Sequence, residues 1–267
     1  MMIIDPYRFS ETCDPDAELF ITATGITNVT QKSAICKLVS ALKTNNLWIK
    51  MKAIYPFVGG TATTHKYNLK NPLDTDAAHR IVFNGGWTHS STGILANGVN
   101  AYANTNVPMN ALSQNDAHIS IYSRTNSVIT TIDLGVQFTT ISFSSFIAAR
   151  ISGNFNSRLN TSGFTDGLTA NADSRGQYIS WRTDGSKITT RKNNNVANAF
   201  NQTSTSAGAN VLPYFIGNLN FNGTPLGGYY SNREYAFASL GPALTSAETL
   251  IFHTIVQDFE TLLGRQV

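Results

Sequence analysis

Residues 176–191, GQYISWRTDGSKITTR, decide the reading of the fold. Two short runs of alternating apolar and polar residues flank Asp184-Gly185, a pair suited to the positive φ angles of a type I′ hairpin turn. Alternation with period two sends successive side chains to opposite faces of a strand, so strands are expected over 176–183 and 187–191. Working outward, the stretches 118–124, 127–134, 138–150, 212–218 and 234–240 carry the same short alternation, with turn residues between them. Several strands at near-regular spacing argue a sandwich or jelly roll rather than an α/β fold.

The flanks are helical. Thr27 is a plausible N-cap, and Ile35, Leu38, Val39 and Leu42 then fall at i, i+3, i+4 and i+7, the apolar stripe of a helix over 28–43 that stops at Thr44-Asn45-Asn46. Trp48, Met51 and Ile54 repeat at spacing three and suggest another helical turn. From Tyr55 to Met109 the chain reads as Gly/Asn/Thr-rich loop, with 77–83 the one periodic stretch. At the far end, Thr245-Ser246-Ala247-Glu248 is a capping box. Leu250, Ile251, Ile255, Val256, Phe259, Leu262 and Leu263 form the expected buried stripe behind it, and Gly264 sits where a C-terminal left-handed residue belongs.

Composition narrows the class. Only 13% of the 267 residues are charged, against roughly a quarter in ordinary domains. The 27 Asn, 31 Thr and 23 Ser take that place. An apolar fraction of 42% with 15 Phe builds a core and excludes a disordered chain. Twenty Gly without a strict period exclude collagen, and the Glu and Lys are too few for heptads. The net charge of +3 is interspersed, which speaks against a nucleic-acid partner; Lys32, Lys37, Lys43, Lys50 and Lys52 read as solvated helix face. The N-terminal run MMIIDPYRFSETCD has neither a basic n-region nor an apolar core, so synthesis in a cytoplasm without a signal peptide or membrane insertion is expected. Cys13 and Cys36 lie outside any metal-binding spacing. A buried free thiol at Cys36 is the default, and one bridge between the two the alternative.

The residues offer little catalytic chemistry. Glycosidases need two carboxylates roughly 5–9.5 Å apart, and of Glu11, Glu18, Glu234, Glu248 and Glu260 only Glu234 falls in strand territory. Asp74 and Asp76 read as caps of a short helix. No nucleophile elbow or phosphate-binding glycine loop occurs. His65, His79 and His89 lie in the loop-rich segment with Asp74 and Asp76 between them but lack ligand spacing, so hydrogen-bonded loop histidines are expected, with no cofactor beyond a structural calcium held by Asp, Asn and backbone oxygens. The aromatics are the better lead: Trp87, Tyr102, Tyr178, Trp181, Tyr214, Tyr229 and Tyr230 sit beside Asn, Thr and Gly. Sugars stack their C–H faces on such rings while amides and hydroxyls bond the rim. Trp87, Tyr178, Trp181, Tyr229 and Tyr230 are the candidate glycan-binding residues, weighed against burial of the same rings in the core.

Residues 20–72, FITATGITNVTQKSAICKLVSALKTNNLWIKMKAIYPFVGGTATTHKYNLKNP, continuing to DAAHRIVFNGGWTHSSTGILANG at 76–98, resemble a module of phage virion-surface proteins of the tail-fibre and head-fibre type, as in phages of Bacteroides-type hosts. The ending REYAFASLGPALTSAETLIFHTIVQDFETLLGRQV at 233–267 resembles the end of that module. The central strands are similar to concanavalin A-like lectin and glucanase domains. The resemblance implies a mainly β, concanavalin A-like jelly-roll sandwich over 16–267, with N- and C-terminal α-helices packed on it and a short anchor at 1–15. It also implies a non-enzymatic structural protein of the virion that displays a lectin-like domain for adhesion to host-surface or mucosal glycan. Its partners would be other virion proteins and glycans, and by analogy with fibres it would be a homo-trimer. A purely structural decoration protein without glycan binding, and more remotely an endoglycanase, are the rival readings.

Overall fold

The computed structural model describes residues 13–163 and 165–267. The anchor expected at the N-terminus falls outside the described residues up to position 12. In chain order the helices are α1 (Pro15–Thr24), α2 (Val29–Thr44), α3 (Ala62–His65) and α4 (Ser246–Leu262). The first strands are β1 (Ala53–Tyr55), β2 (Val82–Asn84), β3 (Trp87–Ser90), β4 (Gly93–Ala96), β5 (Tyr102–Pro108) and β6 (Ala117–Ser123). There follow β7 (Leu134–Phe138), β8 (Phe143–Ile151), β9 (Asn154–Thr161), β10 (Gly167–Ala170), β11 (Gly176–Arg182) and β12 (Lys187–Lys192). The last are β13 (Asn198–Asn201), β14 (Pro213–Ile216), β15 (Leu219–Phe221), β16 (Thr224–Pro225) and β17 (Glu234–Gly241).

The strands make two sheets packed face to face, the jelly-roll-like sandwich expected from the alternation. One runs β13-β12-β11-β6-β17-β4-β3 with β1 beside β17; the other runs β10-β9-β8-β7-β14-β5-β2, extended by β15 and β16. Among the described residues all strand pairings are antiparallel except β15 with β7. Between the sheets lie Ile119, Ile121, Leu134, Ile147, Leu159, Ile188 and Ile216. The outer face of the first sheet is also covered, because Tyr122, Ile179, Trp181 and Phe237 pack beneath α1, α2 and α4. Among the described residues no helix is long and apolar enough to cross a membrane.

The helices follow local rules. Thr245 accepts from the Glu248 amide while the Glu248 carboxylate accepts from the Thr245 amide, the reciprocal box expected, and Gly264 is left-handed at φ 66°. α2 is capped by Asn28 rather than Thr27 and buries the expected Ile35, Leu38, Val39 and Leu42. α1 was not foreseen; Asp14 caps it with Pro15 in its first turn, a position where the missing N–H costs nothing.

Several expectations are corrected. The α4 stripe is rotated: Leu250, Ile251 and Leu262 stay about 40% exposed, while Phe252, His253 and Glu260 are buried. Phe252 is drawn under by Phe237 and His118. Glu260 is kept inside by Arg265, which folds back past Gly264 onto its carboxylate at 2.5 Å. The Asp184-Gly185 turn has no positive φ at either residue. Instead Asp184 Oδ1 accepts from the Ser186 and Lys187 amides, a side chain standing in for the turn's backbone acceptor. The strand expected over 127–134 begins only at Leu134, because side chains claim the preceding backbone: Ser174 Oγ takes the Ser127 amide, and Arg233 donates to the Ser127 carbonyl. The strand expected over 138–150 is split by a 3-10 turn at Thr139–Ile141 and left-handed Ser142. The helical turn expected from Trp48 is a 3-10 turn over Trp48–Lys50, Ile54 beyond it is in β1, and the expected loop from Tyr55 to Met109 holds α3 and four further strands, β2 to β5.

Cys13 and Cys36 form a disulfide, not free thiols. The hairpin of α1 and α2 brings their Cα atoms to 5.1 Å, a closure that spacing alone does not reveal. The bridge closes 23 residues of chain, for which loop-closure entropy predicts about 3 kcal/mol of stabilisation. Cys36→Ser, or reductant with the parent chain, is therefore expected to lower the thermal midpoint; identical midpoints with and without reductant would contradict it.

Candidate functional site

Both faces of the first sheet are covered, so polar chemistry on its inner positions surfaces only where the sandwich opens. That place is the edge between β10 and β13. At Gly167 the edge is closed: a Cβ there would lie 2.7 Å from the Phe200 ring and 3.2 Å from Ile188. Beyond it the sheets part. Along β12 the inward positions run Ile188, Thr190, Lys192, from apolar to charged, and opposite them stand Thr169 on β10 and Asn198 on β13. They surround a cleft of about 280 Å³ with Phe155, Asn171 and Asp173.

Each wall is held by bonds reaching into the sandwich. Lys192 Nζ donates to Asn171 Oδ1 at 2.8 Å and to the Asp173 carbonyl, which uses two of its three protons. Burial holds the Lys192 pKa below that of a free lysine, with the Asp173 charge opposing. Asn171 Nδ2 donates to the Ala149 carbonyl and to Tyr178 Oη, and Tyr178 Oη donates to the Asp173 carbonyl. The Tyr178 ring stands edge-on to Phe155 at 4.9 Å. Asn198 Nδ2 donates to Thr169 Oγ1 at 3.3 Å. Thr190 is only 1% exposed, yet its Oγ1 has no hydrogen-bond partner among the described residues. Asp173 is the only carboxylate among the described lining residues. Arg175 clamps it at 2.7 Å and holds it below the usual carboxylate range. Hydroxyls, amides, one ammonium and an apolar ring floor give the cleft hydrogen-bond donors, acceptors and an apolar surface, with no nucleophile–base pair among the described lining residues.

The five sequence-predicted aromatics are not brought together. Tyr178 is fully buried beneath the cleft, where it supports Asn171 instead of stacking on a ligand. Trp181 is buried against the helical layer. Both lie on β11, covered on its two faces, so alternation hides either parity. Trp87 is at the opposite edge of the sheet, half-buried against Phe83 and over Gly217, its Nε1 unpartnered. Tyr229 packs on the outer cluster of Ile132, Phe146 and Leu219, with Tyr230 half-buried beside it. Tyr214 is interior, and Tyr102 lies against Phe215.

The histidines likewise find protein partners. His65 Nε2 accepts from the Gly60 amide, so its Nδ1 carries the proton and donates to His89 Nδ1 at 2.9 Å. His79 Nδ1 donates to the Asn106 carbonyl. Asp74 and Asp76 do not cap a helix by side chain but pair with Lys66 and Arg80. Sequence reasoning missed Thr190, Lys192, Asn171 and Asn198. The signal that could have found the first two is the lysine in phase with the buried Ile188 of an alternating strand.

No protein-family model matches the chain, and no curated protein matches it significantly. Among solved structures it is similar to a mutant of Trypanosoma rangeli sialidase displaying trans-sialidase activity, at 10% identity and TM-score 0.55 over 84% of this chain and 39% of that one. It is similar to the botulinum neurotoxin serotype D binding domain at 5% identity and TM-score 0.52, over 78% and 52%. Domain 4 of AbnA, an extracellular GH43 arabinanase from Geobacillus stearothermophilus, matches at 13% identity and TM-score 0.49, over 78% and 98%. The chain thus spans well under two thirds of the sialidase and of the toxin domain. What it shares with them is the two-sheet fold.

Proposed function

We propose that this chain is a non-enzymatic glycan-binding module of a virion surface, holding saccharide in the cleft between β10 and β13. The observation that carries the reading is the Thr190 hydroxyl, buried in the wall of that cleft without a partner among the described residues. An unsatisfied buried hydroxyl costs on the order of 1–3 kcal/mol, and a saccharide hydroxyl supplies what the protein does not. The amides of Asn171 and Asn198 and the Phe155 floor are the complementary parts. The lone, clamped Asp173 speaks against an endoglycanase, which needs a second carboxylate across the sugar. The virion setting rests on the sequence resemblance, and the Cys13–Cys36 bridge is in keeping with an oxidising exterior. A fold built also by a sialidase and a toxin's binding domain is compatible with display of a site. Many copies on a particle would turn weak single-site binding into avidity.

Thr190→Val tests the site. Removing an unpaired hydroxyl is expected to leave the thermal midpoint unchanged or raised, while saccharide affinity falls about tenfold, the equivalent of one good hydrogen bond. Calorimetric titration against a glycan panel, beside thermal denaturation, reads both. Lower stability with unchanged binding would assign the hydroxyl a structural part, and no binding to any saccharide at millimolar concentration would leave the purely structural virion role.

A further inference from the structure

Lys192 is unlike most other partly buried lysines of this chain. Lys43, Lys50 and Lys66 each meet a carboxylate, from Asp14, Glu248 and Asp74 respectively. Lys70 lies 3.8 Å above the Trp48 ring. Lys192 faces neutral oxygens only, and the Tyr178 ring is 5.7 Å away. An ammonium withdrawn from water is normally repaid by an opposite charge, and here no carboxylate among the described residues forms an ion pair with it.

The surroundings add positive charge. The charges of Arg150 and Arg175 oppose that of Lys192, while Asp173 favours it. Arg175 is itself paired with Asp173, and Lys192 is the one cation among the described residues that line the cleft. Lys192 and Thr190 share one face of β12, two residues apart, and both line the cleft. That separation is about 6.6–7 Å along a strand, the scale of one pyranose ring with its substituent.

Resting on the glycan-binding reading above, we infer that the cleft selects an anionic saccharide, one that sets a carboxylate or sulfate against Lys192 and a ring hydroxyl against Thr190. Lys192 supplies the charge-assisted bond, and the neutral amides of Asn171 and Asn198 read the sugar. The Lys192 charge strengthens capture and makes it dependent on salt.

The full chain is titrated with oligogalacturonate, with its carboxyl-reduced neutral counterpart of equal length, and with a chondroitin sulfate oligosaccharide, each at low and high NaCl. The acidic oligomers are expected to bind at least tenfold more tightly than the neutral one and to lose several-fold affinity in high salt, the neutral one losing none. Preference for the uronate identifies a carboxylate as the recognised group, and preference for the sulfated oligomer a sulfate. Lys192→Met is expected to erase the preference while Lys192→Arg keeps part of it, with thermal midpoints checking that both fold. If Lys192→Met does not fold, the salt dependence of the parent chain still decides. Equal affinity for acidic and neutral oligomers, or a preference that survives Lys192→Met, overturns the inference and leaves the glycan-binding reading standing. Absence of binding to all three overturns the inference, and the glycan-binding reading falls with it only if the glycan panel above is also negative.

Discussion

Arg233→Met is expected to destabilise the protein by about 3–5 kcal/mol, the range for breaking a fully buried ion pair from one side. Arg233 and Asp133 are both completely buried, and Arg233 Nη1 reaches both carboxylate oxygens at 2.9 and 2.8 Å. The carboxylate also accepts from the Ala149 amide and the Tyr235 hydroxyl. Arg233 Nη2 donates to the carbonyls of Ser127 and Arg150. Burial alone would pull the Arg233 pKa down, but Asp133 outweighs it and holds it raised. Cutting Arg233 thus leaves a buried anion and frees the segment before β7, the one where a strand was expected and side chains hold the backbone instead. Equilibrium urea unfolding measures the loss. Asp133→Asn together with Arg233→Met is expected to cost less than Arg233→Met alone, because the uncompensated charge is gone. A single variant within about 1 kcal/mol of the parent, the ordinary range for point substitutions, would show that the pair is not holding this segment.

Acidification from pH 7.5 to 5 is expected to lower stability by about 4 kcal/mol. All five histidines of the chain have lowered pKa values, and burial is the first cause in each. His65 is pushed down to about 3, with His89 and Arg265 adding to burial. His118 is pushed down to about 4, its Nδ1 donating to the Pro242 carbonyl and its Nε2 accepting from Ser239. Between those values and the unfolded 6.5, the unfolded chain binds protons that the folded one refuses, so stability falls as pH falls through this window. At pH 5 the deficit is about 1.5 units for each of these two groups, or about 2 kcal/mol apiece. Glu260 opposes the trend, since burial raises its pKa and protonation then favours the fold. The lowered carboxylates of Asp14, Asp74, Asp173, Asp184 and Glu248 add their loss only at lower pH. Scanning calorimetry across this range is expected to show a drop of roughly 10 °C for a chain of this size. A midpoint independent of pH would contradict neutral buried histidines, and His118→Gln is expected to flatten the slope.

The elements that were legible are those whose cause is local. Thr245 and Glu248 satisfy each other's backbone within one helical turn, and Ile35, Leu38, Val39 and Leu42 share a face whatever they pack on. Tyr178 and Ile179 alternate because any strand alternates. Even so, a periodic pattern names two faces without saying which is covered. On β11 both are, and this turned Tyr178 and Trp181 from ligand platforms into core. On α4 the apolar residues span more of the circumference than one sheet covers, and contact with Phe237, His118 and Arg265 set the rotation.

The sequence by itself determined the class: a β-rich, weakly charged sandwich with helical flanks, because turn residues, capping and periods of 2 and 3.6 act over a few residues. Only the tertiary structure decided where the polar cleft lies, that Cys13 meets Cys36, and that Thr190 and Lys192 face a gap instead of core. Those facts depend on β10 coming to lie opposite β13 and on helices from both ends of the chain covering one sheet. Contacts between segments distant in sequence are made by packing, and no local pattern encodes which pairs will meet.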